Sequence, residues 1–172
     1  MLDVREKPQM VERAILIAVY QDQRLKTETM TLLEELGDLV ETLGIPVLDR
    51  HLMRVSDRHP GFLLSKGKLE ELEELCKEHK IDVVVFDQAL SPTQQRNLEK
   101  HLKLTVIDRH EVILDIFATR AQTKEAQLQV QLARLKFSLP RLRRAWTHLG
   151  RQGGGSGGGT KGEGEMQIEL DR

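Results

Sequence analysis

The chain has 172 residues, 39% of them hydrophobic, 31% charged and 3% aromatic, with one Trp, one Tyr and a net charge of −1. That suits one compact domain with an aliphatic core plus an appendage. It leaves too few rings for a surface that stacks on single-stranded nucleic acid, and a single Cys76 excludes a disulfide framework or a cysteine zinc site. No apolar run approaches the roughly 20 residues that span a bilayer, and MLDVREKPQM lacks the apolar stretch of a signal peptide, so a cytoplasmic protein is expected.

Ala14–Tyr20 (AILIAVY) is an almost unbroken apolar run, as in a strand buried on both faces. Thr27–Leu43 carries a helical stripe of Leu32, Leu33, Leu36, Leu39, Val40 and Leu43, closed by Gly44 as a C-terminal cap. Ile45–Leu48, extending to Val55, is a second strand, and Lys68–His79 a second helix with Leu69, Leu72, Leu75 and Cys76 on one side. Asp82–Phe86 and Leu104–Ile107 complete four strands. Between them Ser91 and Pro92 supply an N-cap and a first-turn proline for a helix over Thr93–His101. Short strands alternating with helices predict an α/β fold, a small parallel β-sheet with flanking helices, over residues 1–109.

From Arg109 the pattern is helical for about 40 residues and predicts a second, long-helix subdomain over 110–172. Leu128, Leu132, Leu135, Leu139, Leu142, Trp146 and Leu149 follow steps of 4 and 3, a heptad seam for a partner helix. Pro140 predicts a kink. In the stretch 150–164 nine of fifteen residues are glycine, which reads as a flexible tip loop. Glu165–Arg172 resumes a helical pattern, so the region reads as a coiled-coil hairpin whose second helix is cut short.

Charge is unevenly placed. Between Arg134 and Gly162 there are seven cations and no acid, while the first 133 residues carry a net charge of −5. An acidic body with a basic arm suits a protein that reaches a polyanion with one end. The candidate RNA contacts are Arg141, Arg143, Arg144, Arg151 and Lys161, with Gly153, Gly154, Gly155, Gly157, Gly158 and Gly159 letting the backbone approach closely. Lys66 and Lys68 at a helix start, with Asp87 and Asp108 at strand ends, form a candidate nucleotide site. The echo of VLDRH (47–51) in VIDRH (106–110) places Asp49 among the strand-end acids too. The full phosphate-loop spacing G-x-x-x-x-G-K-[ST] is missing, and the histidines form no metal motif.

Six segments in order, ERAILIAV (12–19), SKGKLEELEEL (65–75), LSPTQQRNLEK (90–100), VIDRHEVILDIFATRA (106–121), QLQVQLARLKFSLPRL (127–142) and GTKGEGEMQIELDR (159–172), resemble the N-terminal portion of the HflX family of ribosome-associated GTPases. The resemblance implies an α/β subdomain, a two-helix coiled coil and a GTPase domain following Arg172. That domain would use GTP and Mg2+ and pack on this region as a partner. It further implies binding to the large ribosomal subunit in ribosome splitting or rescue, with the hairpin tip directed at ribosomal RNA near the peptidyl transferase region. No DNA and no membrane-spanning role is implied. An ATP site in the N-terminal domain is also proposed for the family, and no motif here demands one. The family's usual Gly-Thr-Arg-Gly-Pro-Gly-Glu reads here Gly159-Thr160-Lys161-Gly162-Glu163-Gly164-Glu165, so Lys161 keeps the charge without arginine's planar fork. Two other classes fit the residues: a nucleotide-binding α/β domain, and an interaction module that dimerises through the 128–149 seam.

Overall fold

The computed structural model describes residues 13–152, with side chains over 13–140. In chain order it holds β1 (Ala14–Tyr20), a 3-10 turn (Gln23–Leu25), α1 (Lys26–Thr42), β2 (Val47–Arg54), α2 (Lys66–Glu78), β3 (Val83–Phe86), α3 (Pro92–Leu102), β4 (Thr105–Asp108), α4 (Arg109–Arg120) and α5 (Lys124–Gln152). The strands form one parallel sheet in the order β2-β1-β3-β4. The predicted α/β class and all four strands are present.

Pleating sorts the side chains of β1 into two cores. Ala14, Leu16 and Ala18 join Val83 and Val85 beneath α1 (Leu33, Leu36, Val40) and α4 (Val112, Ile116). Ile15, Ile17 and Val19 join Val84, Phe86 and Val106 beneath α2 (Leu69, Leu72, Cys76) and α3 (Leu98, Leu102). Every residue of β1 is buried, which is why its sequence shows no alternation. Edge strand β2 alternates instead, with Leu48 and Arg50 exposed and Met53 buried.

Local chemistry sets the helix ends. Ser91 accepts from Gln94 N–H while the Gln94 side chain accepts from Ser91 N–H, a reciprocal capping box with Pro92 in the first turn. Gly44 takes φ +78° just past α1, the left-handed conformation that glycine reaches without strain. Asp108 caps α4 by accepting from Glu111 N–H at 3.1 Å.

The predicted 40-residue helix is two helices. Ala121 is extended, and Thr123 restarts the chain by accepting through Oγ1 from Ala126 N–H and through its carbonyl from Gln127 N–H. Val112 and Ile116 tie α4 into the sheet core. Asp49 lies inside β2 and not at a strand end, so the VLDRH and VIDRH echo places its two aspartates differently. Burial raises its pKa, but the Arg50 N–H and the neighbouring His51 at 2.9 Å outweigh this and hold it below the usual carboxylate range.

Burial, with the Glu73 charge adding to it, pushes the Cys76 thiol up to about 11. At pH 8 the native thiol is expected to react with Ellman's reagent roughly a hundredfold more slowly than in urea. Equal rates in both conditions would contradict this packing.

Candidate nucleic-acid interface

Parallel sheets usually take ligands where strand order reverses, outside the carboxyl ends of the strands. Here that point lies between β1, which leaves toward β2, and β3, which leaves toward β4. The crevice is filled by the chain itself. Gln88, just past β3, accepts from Val19 N–H at 2.9 Å through Oε1 and donates through Nε2 to Val19 O at 3.2 Å, prolonging the ladder with a side chain. A cleft of about 190 Å³ remains beside it, lined by Tyr20, Glu28, Leu32 and Arg58 among others.

Of the candidate nucleotide residues, the two aspartates are held by the fold and the two lysines lie along α2. Asp87 and Asp108 stand at the ends of the neighbouring strands β3 and β4. Asp87 is gripped by Arg109 Nη1 at 2.7 Å, and Arg109 Nη2 reaches Glu35 at 2.9 Å on α1. Burial works against the Arg109 charge, yet the hydrogen bonds to Asp87 and Glu35 outweigh it and raise the pKa. Asp108 is 1% exposed and accepts from Leu90 N–H at 2.9 Å as well as from Glu111 N–H. Lys66 lies 4.0 Å from Glu70, and Lys68 2.6 Å from Glu71, each on its own helix α2. Asp87, Arg109 and Glu35, with Asp108, clamp α1, β3, β4 and α4 together. Composition could not reveal this, because a strand-end Asp reads the same whether it binds a ligand or a neighbouring arginine. Gln88 carried no sequence signal at all.

The arm begins on α4. Ala126, Val130 and Ala133 of α5 line a cleft of about 340 Å³ with Leu114 and Phe117 of α4 and with Ala121 just past it. Phe137 lines a second with Glu111 and Leu114, and Arg134 pairs with Asp115 across the two helices. Arg134 therefore serves the base of the arm, while Lys136 carries no ion pair among the described residues. The face 126/130/133/137 went unread because alanine contributes little to a hydrophobic stripe. On the opposite side of α5, Leu128, Leu132, Leu135 and Leu139, the described half of the heptad seam, are 46–60% exposed. α5 continues through Pro140, and Ser138 Oγ donates to Arg134 O at 2.8 Å one turn earlier.

Arg141, Arg143, Arg144 and Arg151 fall on the backbone of α5, and their side chains lie outside the described residues. Gly153, Gly154, Gly155, Gly157, Gly158, Gly159 and Lys161, with the whole tip loop and the segment after it, lie outside the described residues. Among the described residues no cluster of His, Cys, Asp and Glu could hold a metal, and no helix is long and apolar enough to cross a membrane. The phosphate loop needed for GTP and Mg2+ is missing from the sequence, so the residues present do not fit that pair.

An α/β body bearing a helical arm is an architecture this chain shares with part of a solved GTP-binding protein. The family model "GTP-binding GTPase N-terminal" matches residues 30–118, and "GTP-binding GTPase Middle Region" matches 120–172, meeting where α4 ends. A GTPase HflX of Akkermansia muciniphila is 53% identical over 90% of this chain and 36% of its own length. One from Escherichia coli K12 is 44% identical over 94% of this chain and 37% of its own. A GTP-binding protein of Sulfolobus solfataricus, solved in complex with GDP, superposes with a TM-score of 0.56 at 25% identity, covering 79% of this chain and 40% of that one. The chain belongs to the HflX family of GTPases and corresponds to its N-terminal and middle regions. It spans little more than a third of the length of the curated relatives it matches.

Proposed function

We propose that this chain is the ribosome-binding and regulatory region of an HflX-type GTPase that acts on the large ribosomal subunit in splitting or rescue. GTP hydrolysis with Mg2+ then belongs to a G domain outside these 172 residues. The body anchors α5, which bears Arg141, Arg143, Arg144 and Arg151, and these, with the glycines and Lys161 that follow in sequence, are the contacts to ribosomal RNA. The observation that carries this reading is the acid-free stretch 134–162 set on an acidic body, joined to it by a helix buttressed on α4. Backbone phosphates supply most of the affinity in such contacts. A photo-crosslinking residue at Ser156 is expected to form adducts with large-subunit RNA. Adducts confined to protein, or none in the presence of excess subunits, would overturn the reading.

The exposed leucines favour a second reading, dimerisation through the seam. Leu132→Lys with Leu135→Lys would then abolish any concentration-dependent sedimentation while leaving the unfolding free energy of the monomer within about 0.5 kcal/mol of wild type, because both side chains are exposed on α5. Sedimentation as a monomer at all concentrations would exclude a dimer. The nucleotide-binding alternative draws no support from the sheet edge, where Asp87, Asp108 and Gln88 serve the fold.

A further inference from the structure

Helix α3 uses most of its circumference on the body. Leu98 and Leu102 enter the core, and Gln95 donates to Val106 O and Glu111. Gln94 and Asn97 strap the loop at His59 and Gly61, and His101 meets Glu73 of α2. What is left is a short row of cations: Arg96, half-buried on α3, Lys100, exposed near its end, and Lys103, exposed at the left-handed residue that closes the helix.

Among the described residues none of the three side chains has an ion pair or hydrogen bond. This differs from α2, where Lys66, Lys68 and Lys77 each face a glutamate of their own helix. Glu99, the one acid of α3, turns to Val106 N–H on β4. The row therefore stands uncompensated on a body whose net charge is negative. No large exposed apolar side chain lies on α3, so the surface lacks the anchors that a protein partner needs, whereas a polyanion needs none. α3 also packs against α5, the helix that leads into the basic stretch.

We propose that Arg96, Lys100 and Lys103 form a second contact to the phosphate backbone of RNA, seating the body on the same RNA that the arm reaches. This rests on the reading of the arm given above. Phosphate contacts of this kind fix orientation and carry no sequence information. Two separated contacts on one rigid frame would set the direction from which the arm enters.

The test compares wild type, Arg96→Gln/Lys100→Gln/Lys103→Gln and Arg143→Glu/Arg144→Glu by pelleting with purified large subunits over a KCl series. The triple variant is expected to bind about tenfold or more weakly, with a log–log salt slope shallower by roughly 2–3, near 0.9 for each lost contact. An unchanged urea midpoint shows that it folds, and Arg96→Lys/Lys100→Arg/Lys103→Arg is expected to bind as wild type. Wild-type affinity and slope in the triple variant, beside loss in Arg143→Glu/Arg144→Glu, would overturn the α3 contact and leave the arm reading standing. If wild type does not pellet, the arm reading fails. Titration of the same proteins onto a fluorescein-labelled RNA duplex then decides the row alone: weaker binding by the triple variant sustains it, and equal binding or none overturns it.

Discussion

Reversing two charges near the end of the arm, Arg143→Glu with Arg144→Glu, is expected to weaken binding to large ribosomal subunits on the order of a hundredfold at near-physiological salt. The substitution removes two cations and places two acids in a stretch that otherwise has none. Its effect is expected on affinity and not on folding, because the core is built from the sheet and α1–α4. The measurement is subunit pelleting beside a urea titration. Loss of binding with an unchanged midpoint fits the arm as the contact, and unchanged binding does not.

The second large effect is on stability. Arg109→Ala is expected to destabilise the body by about 2–3 kcal/mol, read as a lower urea midpoint at constant slope. Asp87 has a side chain only 6% exposed and would keep its charge with its guanidinium partner removed. Glu35, 58% exposed, can turn to water, which is why the figure stays below that of a fully buried triad. Asp87→Asn combined with Arg109→Gln should recover part of the loss, since no orphaned charge remains. A loss under about 0.5 kcal/mol for Arg109→Ala would mean that the cluster does not clamp α1 to the sheet edge.

The sheet was legible because Ala14–Tyr20 and Val83–Phe86 must be apolar on both faces, and such runs have few other readings. The helix ends were legible through Gly44 and Ser91-Pro92, residues whose backbone or capping chemistry acts locally. The break at 121–123 was not, because Ala121-Gln122-Thr123 contains neither glycine nor proline and all three tolerate a helix. Only the position of the Thr123 hydroxyl ahead of Ala126 marked a new start. The seam at 128–139 was read correctly as apolar, but the face that holds α5 to the body is Ala126, Val130, Ala133 and Phe137. At the sheet edge, sequence named Asp87 and Asp108 without showing that Arg109, Leu90 and Glu111 already hold them. The charge of the arm needed no fold to be seen, since it is a property of composition, whereas the row on α3 emerged only once every other face of that helix was accounted for.

The claim at the centre of this account is that the chain binds the large ribosomal subunit through phosphate contacts. The direct measurement is the pelleting of the wild-type chain with purified large subunits as KCl is raised from 50 to 400 mM, plotted as log affinity against log salt. The account predicts saturable binding with a steep linear fall, a slope of about −4 or steeper for five or more phosphates. Absence of pelleting at the lowest salt, or binding that does not change across the series, would contradict it.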